Sequence, residues 1–203
     1  MEIYSTEEQQ EQAIIGFLQR YWIAFVAVIV IVIAASVGWY LYQDHQDGKS
    51  LKASAAFEAI MQSKADNKVV QLQSFINKYP DANSYPYMAR MILAKAFVNE
   101  NKYQQAADAL SVVTQKADEP LRSLAMLRLA RVQLALKKDK DALATLDGVS
   151  GKSYKGSVEA LKGDIYVAQG HFGKARDAYQ QAIADGNGSD PSLQLKLDNL
   201  AGE

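Results

Sequence analysis

Residues 163–183 read GDIYVAQGHFGKARDAYQQAI, and this segment contains the clearest structural pattern in the chain. Gly163 and Ala175 are small residues twelve positions apart, which lets two helices cross closely. Gly170 lies between them and suits a tight turn that needs a left-handed residue. Tyr179 is large enough to fill the space between the helices. The stretch therefore predicts a hairpin of two antiparallel helices.

The same pattern recurs earlier in the chain. LAKAFVNENKYQQAADAL at 93–110 and LARVQLALKKDKDALATL at 129–146 superimpose without a gap at an offset of 36 residues. Their Ala106 and Ala142 correspond to Ala175, and a more degenerate copy precedes them. The repeats predict hairpins at about 50–79, 85–115, 119–148 and 155–185, followed by a closing helix capped by Ser189-Asp190-Pro191 and ending near Asn199.

This pattern resembles the tetratricopeptide repeat. The resemblance implies an all-α protein, in which helical hairpins stack into an α-solenoid that a C-terminal helix caps. One such hairpin cannot bury its own apolar face, whereas four stacked ones can. The alternative is a helical bundle without structural repeats.

An apolar segment precedes the repeats. Residues 23–41 read IAFVAVIVIVIAASVGWYL and carry no charge, and Trp22 and Trp39 lie near the two ends. At about 1.5 Å per residue the segment is roughly 28 Å long, close to the thickness of a bilayer's hydrocarbon core. A soluble core helix is rarely apolar on every face, and a cleaved signal peptide has a shorter apolar run and a basic start. The segment predicts a retained transmembrane helix.

The chain is therefore expected to have four parts: a short tail at 1–21, a transmembrane helix at 22–42, a linker at 43–49 and the repeat domain at 50–203. The flanking cations are too evenly distributed to decide which side of the membrane the domain occupies. Ala34 and Gly38 form a pair of small residues four apart, which favours contact with a second transmembrane helix. Such residues are also simply common in transmembrane helices.

The composition argues against several functional classes. There are 22 basic and 23 acidic residues, no cysteine and only two histidines, His45 and His171. No basic stripe is available for nucleic acid, and thiolate zinc sites and cysteine nucleophiles are excluded. A metal at His45 is conceivable, although an exposed polar linker explains this residue better. With no catalytic, cofactor or metal motif recognised, the sequence predicts a protein that is not an enzyme and that binds other proteins.

In stacked helical hairpins the first helix of each pair lines the concave face. The groove positions predicted from the register are Met88, Met91, Lys95 and Asn99, then Leu124, Leu127, Arg131 and Leu134, then Ala160, Asp164 and Val167. This mixture of apolar residues and isolated charges suits an amphipathic helix or an extended peptide. About half of these residues are expected to pack between the repeats instead.

Among these candidates, Arg131 makes the most specific prediction about the chemistry of a partner. Lys95 occupies the equivalent position one repeat earlier, so a cation beside apolar residues recurs and suits a partner segment with a carboxylate. Alternatively, Arg131 pairs internally with Asp164, its equivalent one repeat later. In the tetratricopeptide domains that grip a C-terminal carboxylate, Lys and Asn occupy fixed groove positions. Met91 and Lys95 replace them here, which argues against that function.

The chain as a whole is similar to the YfgM-like family, the ancillary subunits of the SecYEG translocon. The similarity rests on the start MEIY, the single span, LRLARVQLALKKDKDALATLD at 127–147 and LKLDNL at 195–200. It implies a single-pass protein of the bacterial inner membrane with a cytoplasmic tail and a periplasmic repeat domain. It also implies association with the Sec channel and with a membrane-anchored chaperone of the parvulin class.

Two functions follow as hypotheses. The first is an adaptor that links the translocon to periplasmic chaperones during protein export. The second is a general cell-envelope scaffold, for cell-wall assembly or division, that uses the same groove for another partner. An unrecognised hydrolase is a third and weaker alternative.

Overall fold

The computed structural model describes residues 7–63, 67–187 and 191–200, with side chains from Arg20 onward except at 44–47 and 187. Within these ranges the protein is all-α and contains no strand, as the sequence predicts. The chain divides into two units, Met1–Leu51 and Lys52–Glu203. The helices are α1 (Glu7–Gln62), α2 (Lys68–Lys78), α3 (Tyr85–Asn99), α4 (Tyr103–Lys116), α5 (Leu121–Ala135), α6 (Asp139–Asp147), α7 (Lys155–Ala168), α8 (Phe172–Ala182) and α9 (Pro191–Asn199), with a short 3₁₀ turn at Lys152–Tyr154 and a π turn at Ile183–Asn187.

The first unit contains the apolar segment, which is part of α1. The consecutive residues Val30, Ile31 and Val32 are 58%, 66% and 58% exposed. Because successive residues of an α-helix point about 100° apart, this exposure covers the whole circumference. The segment is long and apolar enough to cross a membrane, and among the described residues it is the one such candidate. Residues 43–49, predicted as a linker, are helical.

The repeat unit closes three of its hairpins with one turn geometry. Asn101, Lys137 and Gly170 all have positive φ, at 57°, 59° and 73°. In each turn the next residue donates its backbone N–H to the carbonyl five positions back, as in His171 to Tyr166 at 2.8 Å. This bond ends the first helix in a Schellman motif. Gly170 therefore adopts the left-handed conformation that the sequence predicts, and Asn101 and Lys137 adopt it as well.

Small residues lie where the paired helices cross. Ala106, Ala142 and Ala175 are fully buried, as is Ala130 in α5. Gly163 in α7 has no side chain, and the ring of Tyr179 from α8 occupies the space where its Cβ would be. The helices approach closely because nothing larger than a methyl group separates them at these points.

The buried side chains form three clusters along the stack rather than one central core. The first joins the end of α1 to α2, α3, α4 and α5, and in it the Phe57 ring lies 5.7 Å from the Phe75 ring. The second joins α5, α6 and α7, and the third joins α8 to α9. This serial arrangement is that of an α-solenoid, because each hairpin packs on its neighbours.

The last helix covers the open end of the stack. Leu193 and Leu200 are buried against Ala175, Tyr179 and Ala182. Pro191 is the first residue of α9, as its fixed φ favours. The predicted capping residues Ser189 and Asp190 lie outside the described residues. A closing helix of this kind protects an apolar face that would otherwise meet water.

Candidate protein-binding groove

A cleft of about 370 Å³ lies between α3 and α5, the first helices of two successive hairpins. Helix α4, which connects them, contributes to its wall. We call it the α3–α5 cleft, and it is lined by Met91, Ala94, Lys95, Val98, Tyr103, Leu110, Arg128, Arg131, Val132 and Ala135.

The inner surface of the α3–α5 cleft is apolar. Met91, Leu110 and Val132 are buried in the core and present only part of their surface to it. Ala94 and Ala135 are small, so space remains where larger side chains would fill the gap between the helices. The packing of the hairpins thus leaves an apolar depression, a surface that favours an apolar side chain.

The charged groups at the α3–α5 cleft are all cationic. Lys95 and Arg131 are exposed and Arg128 is half-buried. Among the described residues, none of the three makes an ion pair or a side-chain hydrogen bond. By contrast, Lys162 pairs with Glu159 at 3.1 Å and Lys196 with Asp164 at 2.6 Å. The α3–α5 cleft therefore combines an apolar inner surface with positive charge that the described part of the chain does not neutralise.

The predicted groove residues fall into three groups. Met91 and Leu127 are each only 4% exposed. Leu127 packs with Ala130 and Ile165, so its side chain has little surface to offer a partner. The half-buried candidates are Met88, Leu134, Ala160 and Asp164, and the exposed ones are Lys95, Asn99, Leu124, Arg131 and Val167. The α3–α5 cleft brings three of them together: Met91, Lys95 and Arg131.

Asp164 is not the partner of Arg131. Its Oδ1 accepts a hydrogen bond from the Tyr179 hydroxyl at 2.8 Å and from Lys196 Nζ at 2.6 Å. Burial and the hydrogen bond to Asp164 together raise the pKa of Tyr179 well above that of an ordinary phenol. The internal Arg131–Asp164 pair considered from the sequence is therefore wrong. Asp164 instead helps to hold the closing helix α9, which carries Lys196.

Arg128 is a lining residue that the sequence analysis missed. The predicted groove residues of α5 follow the row Leu124, Leu127 and Arg131, and Arg128 is one position away from that row. The sequence does contain a signal for Arg128, since residues three apart on a helix are neighbours on its surface and Arg128 is three before Arg131.

Ala34 and Gly38 are the residues predicted to contact a second membrane helix. A Cβ added to Gly38 would meet no atom within 4 Å, so this face of the helix is open.

Comparison with known proteins identifies the family. The tetratricopeptide repeat-like domain family matches residues 16–202. The ancillary SecYEG translocon subunit of Escherichia coli K12 is 30% identical over 99% of this chain and 100% of its own length. The protein of the same name from Aggregatibacter actinomycetemcomitans is 34% identical over 97% of this chain and 99% of its own. The chain belongs to the family of ancillary SecYEG translocon subunits. The similarity to these two relatives extends over both units, the one with the apolar segment and the one with the repeats.

Solved structures agree on the fold. MamA from Desulfovibrio magneticus RS-1, residues 41 to the end, superimposes with a TM-score of 0.58. The match covers 75% of this chain and 83% of that one at 18% identity, so it bears on the fold alone. A MamA double mutant gives a TM-score of 0.53. By its family model the chain is of the tetratricopeptide repeat-like type, which is a non-catalytic protein-interaction type, and its candidate spanning helix fits a single-pass inner-membrane protein.

Proposed function

We propose that this protein is a single-pass inner-membrane adaptor that associates with the Sec translocon and links the channel to periplasmic chaperones during protein export. The observation that carries the proposal is the near full-length similarity to ancillary SecYEG translocon subunits. The finer assignment divides the chain into a cytoplasmic tail (1–21), a membrane helix (22–42), a connecting segment (43–49) and a periplasmic repeat domain (50–203).

The two units have separate roles in this proposal. The membrane helix contacts the channel, and the small, exposed residues Ala34 and Gly38 admit close approach of a second helix. The repeat domain binds the chaperone, for which a membrane-anchored protein of the parvulin class is the expected partner. Anchoring confines the domain to the membrane surface, which raises its effective concentration near the exit of the channel.

Crosslinking in intact membranes tests the translocon association. A photoreactive residue at Val37, which is 52% exposed, should form an adduct with a channel subunit. Gly38→Leu should reduce that adduct because a bulky side chain keeps the second helix away. An adduct only with proteins of cell-wall synthesis or division would overturn the proposal in favour of an envelope scaffold.

Protease accessibility tests the orientation. Protease added to spheroplasts should degrade the chain beyond about residue 45 while the tail stays protected. Protection of the repeat domain until the membrane is lysed would place it in the cytoplasm and contradict the proposed orientation.

A further inference from the structure

We propose that the α3–α5 cleft is the partner site, and that it takes an apolar side chain from a protein segment that carries a carboxylate on each side of that residue. The inference rests on the proposed function and adds to it the location and the chemistry of the site. It starts from three cations, Lys95, Arg128 and Arg131, that border one apolar depression.

The charge of this cleft distinguishes it from its neighbours. Four other clefts of the repeat domain each contain an acidic residue beside a cation, for example Arg90 with Asp108 and Lys155 with Glu159. The lining of the α3–α5 cleft contains three cations and no Asp or Glu. An uncompensated positive rim favours a partner that brings the missing negative charge.

The volume of the α3–α5 cleft limits what can enter. About 370 Å³ is near the lower end of the range for ligand pockets, roughly 300–1,000 Å³. One large apolar side chain such as Leu or Phe, with part of its backbone, fits this space. Since Met91 and Val98 are both apolar and Met side chains adapt to different shapes, the inner surface selects for hydrophobicity more than for one residue type.

The positions of the cations define the pattern of the partner. Lys95 belongs to α3, whereas Arg128 and Arg131 belong to α5, three residues apart and therefore on one face of that helix. The cleft thus has positive charge on both of its long sides. A segment lying in it with its apolar residue inserted needs one carboxylate toward α3 and another toward α5, so we expect Asp or Glu within one helical turn on either side of the anchor residue.

The test is photocrosslinking with the full-length protein in intact membranes. A photoreactive residue replaces Ala135, which lines the cleft and is exposed, and a second variant carries it at the exposed Lys140 outside the lining. The adduct at position 135 should map to a segment with an acidic residue within four positions on each side of the attachment point. An adduct only with lipid, or with a segment that has no acidic residue there, would overturn the inference.

Charge reversal supplies the quantitative arm. Arg131→Glu or Lys95→Glu should lower the yield of the Ala135 adduct about fivefold or more, and the two together further. Lys140→Glu is the matched control, because it makes the same change of charge at an exposed site in the first turn of α6, where an acid suits the helix dipole. An unchanged yield in the correctly folded Arg131→Glu protein would overturn the inference.

Charge exchange makes the assignment specific. Changing the mapped acidic residue of the partner to Lys should restore the yield in Arg131→Glu and lower it in the unmutated protein. If the Lys substitution in the partner neither restores the adduct yield in Arg131→Glu nor lowers it in the unmutated protein, the two residues do not pair directly. The Val37 adduct with the channel, measured in the same membranes, separates the two proposals. If the Val37 adduct forms and the Ala135 adduct does not, only the cleft is wrong, whereas absence of the Val37 adduct contradicts the translocon association itself.

Discussion

Gly163→Ala is the most informative single substitution, because the structure assigns it two opposing effects. A Cβ added there would lie 2.9 Å from Cζ of Tyr179 and closer still to Cδ1 and Cε1. Replacing Gly by Ala inside a helix ordinarily stabilises it by about 1 kcal/mol. Here the ring must move. Overpacking costs about 1–3 kcal/mol, and loss of the hydrogen bond to the Asp164 carboxylate costs about 1.5–3 kcal/mol more.

The net expectation is a loss of about 1.5–5 kcal/mol in the free energy of unfolding. Tyr179 is only 2% exposed, so its ring is packed by neighbouring side chains that must move with it. The measurement is urea unfolding of the full chain in detergent micelles, followed by far-ultraviolet circular dichroism. Gly173→Ala is the matched control. A Cβ there meets nothing within 4 Å in the first turn of α8, so this variant should be as stable as the original protein or slightly more stable.

The other hairpins indicate how the loss can be reversed. At the positions equivalent to Gly163 and Tyr179, α3 and α4 carry Ala94 and Leu110. Gly163→Ala combined with Tyr179→Leu recreates that pair, so the cost of Gly163→Ala should largely vanish in the Tyr179→Leu background. The coupling between the two changes should therefore be about as large as that cost, about 1.5–5 kcal/mol. If Gly163→Ala alone is as stable as the original protein, or if the two changes add without coupling, the reasoning is refuted.

Three further predictions concern the repeat domain. Because the pKa of Tyr179 is raised in the folded protein, its contribution to the free energy of unfolding is complete below the ordinary phenol pKa of about 10 and is lost as the pH rises further. Between about pH 9 and 11, the free energy of unfolding in urea should therefore fall less for Tyr179→Phe than for the original protein. Equal losses in the two proteins would contradict this prediction. Ala175→Leu should lower the free energy of unfolding by about 1–3 kcal/mol in the same assay, because Ala175 is fully buried at a helix crossing. Unchanged stability would show that the crossing accommodates a larger side chain. Residues 43–203 expressed alone should form a soluble helical monomer by circular dichroism and light scattering, and a strand-rich spectrum would contradict the all-α fold.

The sequence predicts the local elements well because each depends on neighbours within one repeat. The 36-residue offset aligns Asn101 with Lys137, and both adopt the same positive-φ turn although only Asn has a preference for it. Here the repeat pattern, rather than the residue type, indicates the turn. The uncharged run at 23–41 likewise defines a candidate span by length and composition.

The candidate site depends on side chains from different helices, and there the prediction from sequence is only partial. Three predicted groove residues, Met91, Lys95 and Arg131, line the α3–α5 cleft, whereas the predicted Leu127 is in the core and Arg128, which was not predicted, also lines the cleft. Register states which way a residue points on its own helix but not how far the neighbouring helix has rotated or shifted toward it.

The amino-acid sequence is enough to predict the all-α class, the last three hairpins, the small residues at the crossings and the apolar segment, because these follow from periodicity and turn chemistry within about forty residues. The first hairpin is predicted to begin near residue 50, whereas its first helix is the end of α1, which is continuous from Glu7 to Gln62. The pairing of Asp164 with Lys196 of the closing helix depends on tertiary structure, as does the finding that Arg131 has no ion-pair partner among the described residues. The physical reason is that an ion pair needs two atoms within about 4 Å. Lys196 is thirty-two residues from Asp164 in sequence, and α9 brings it there by packing over the last hairpin.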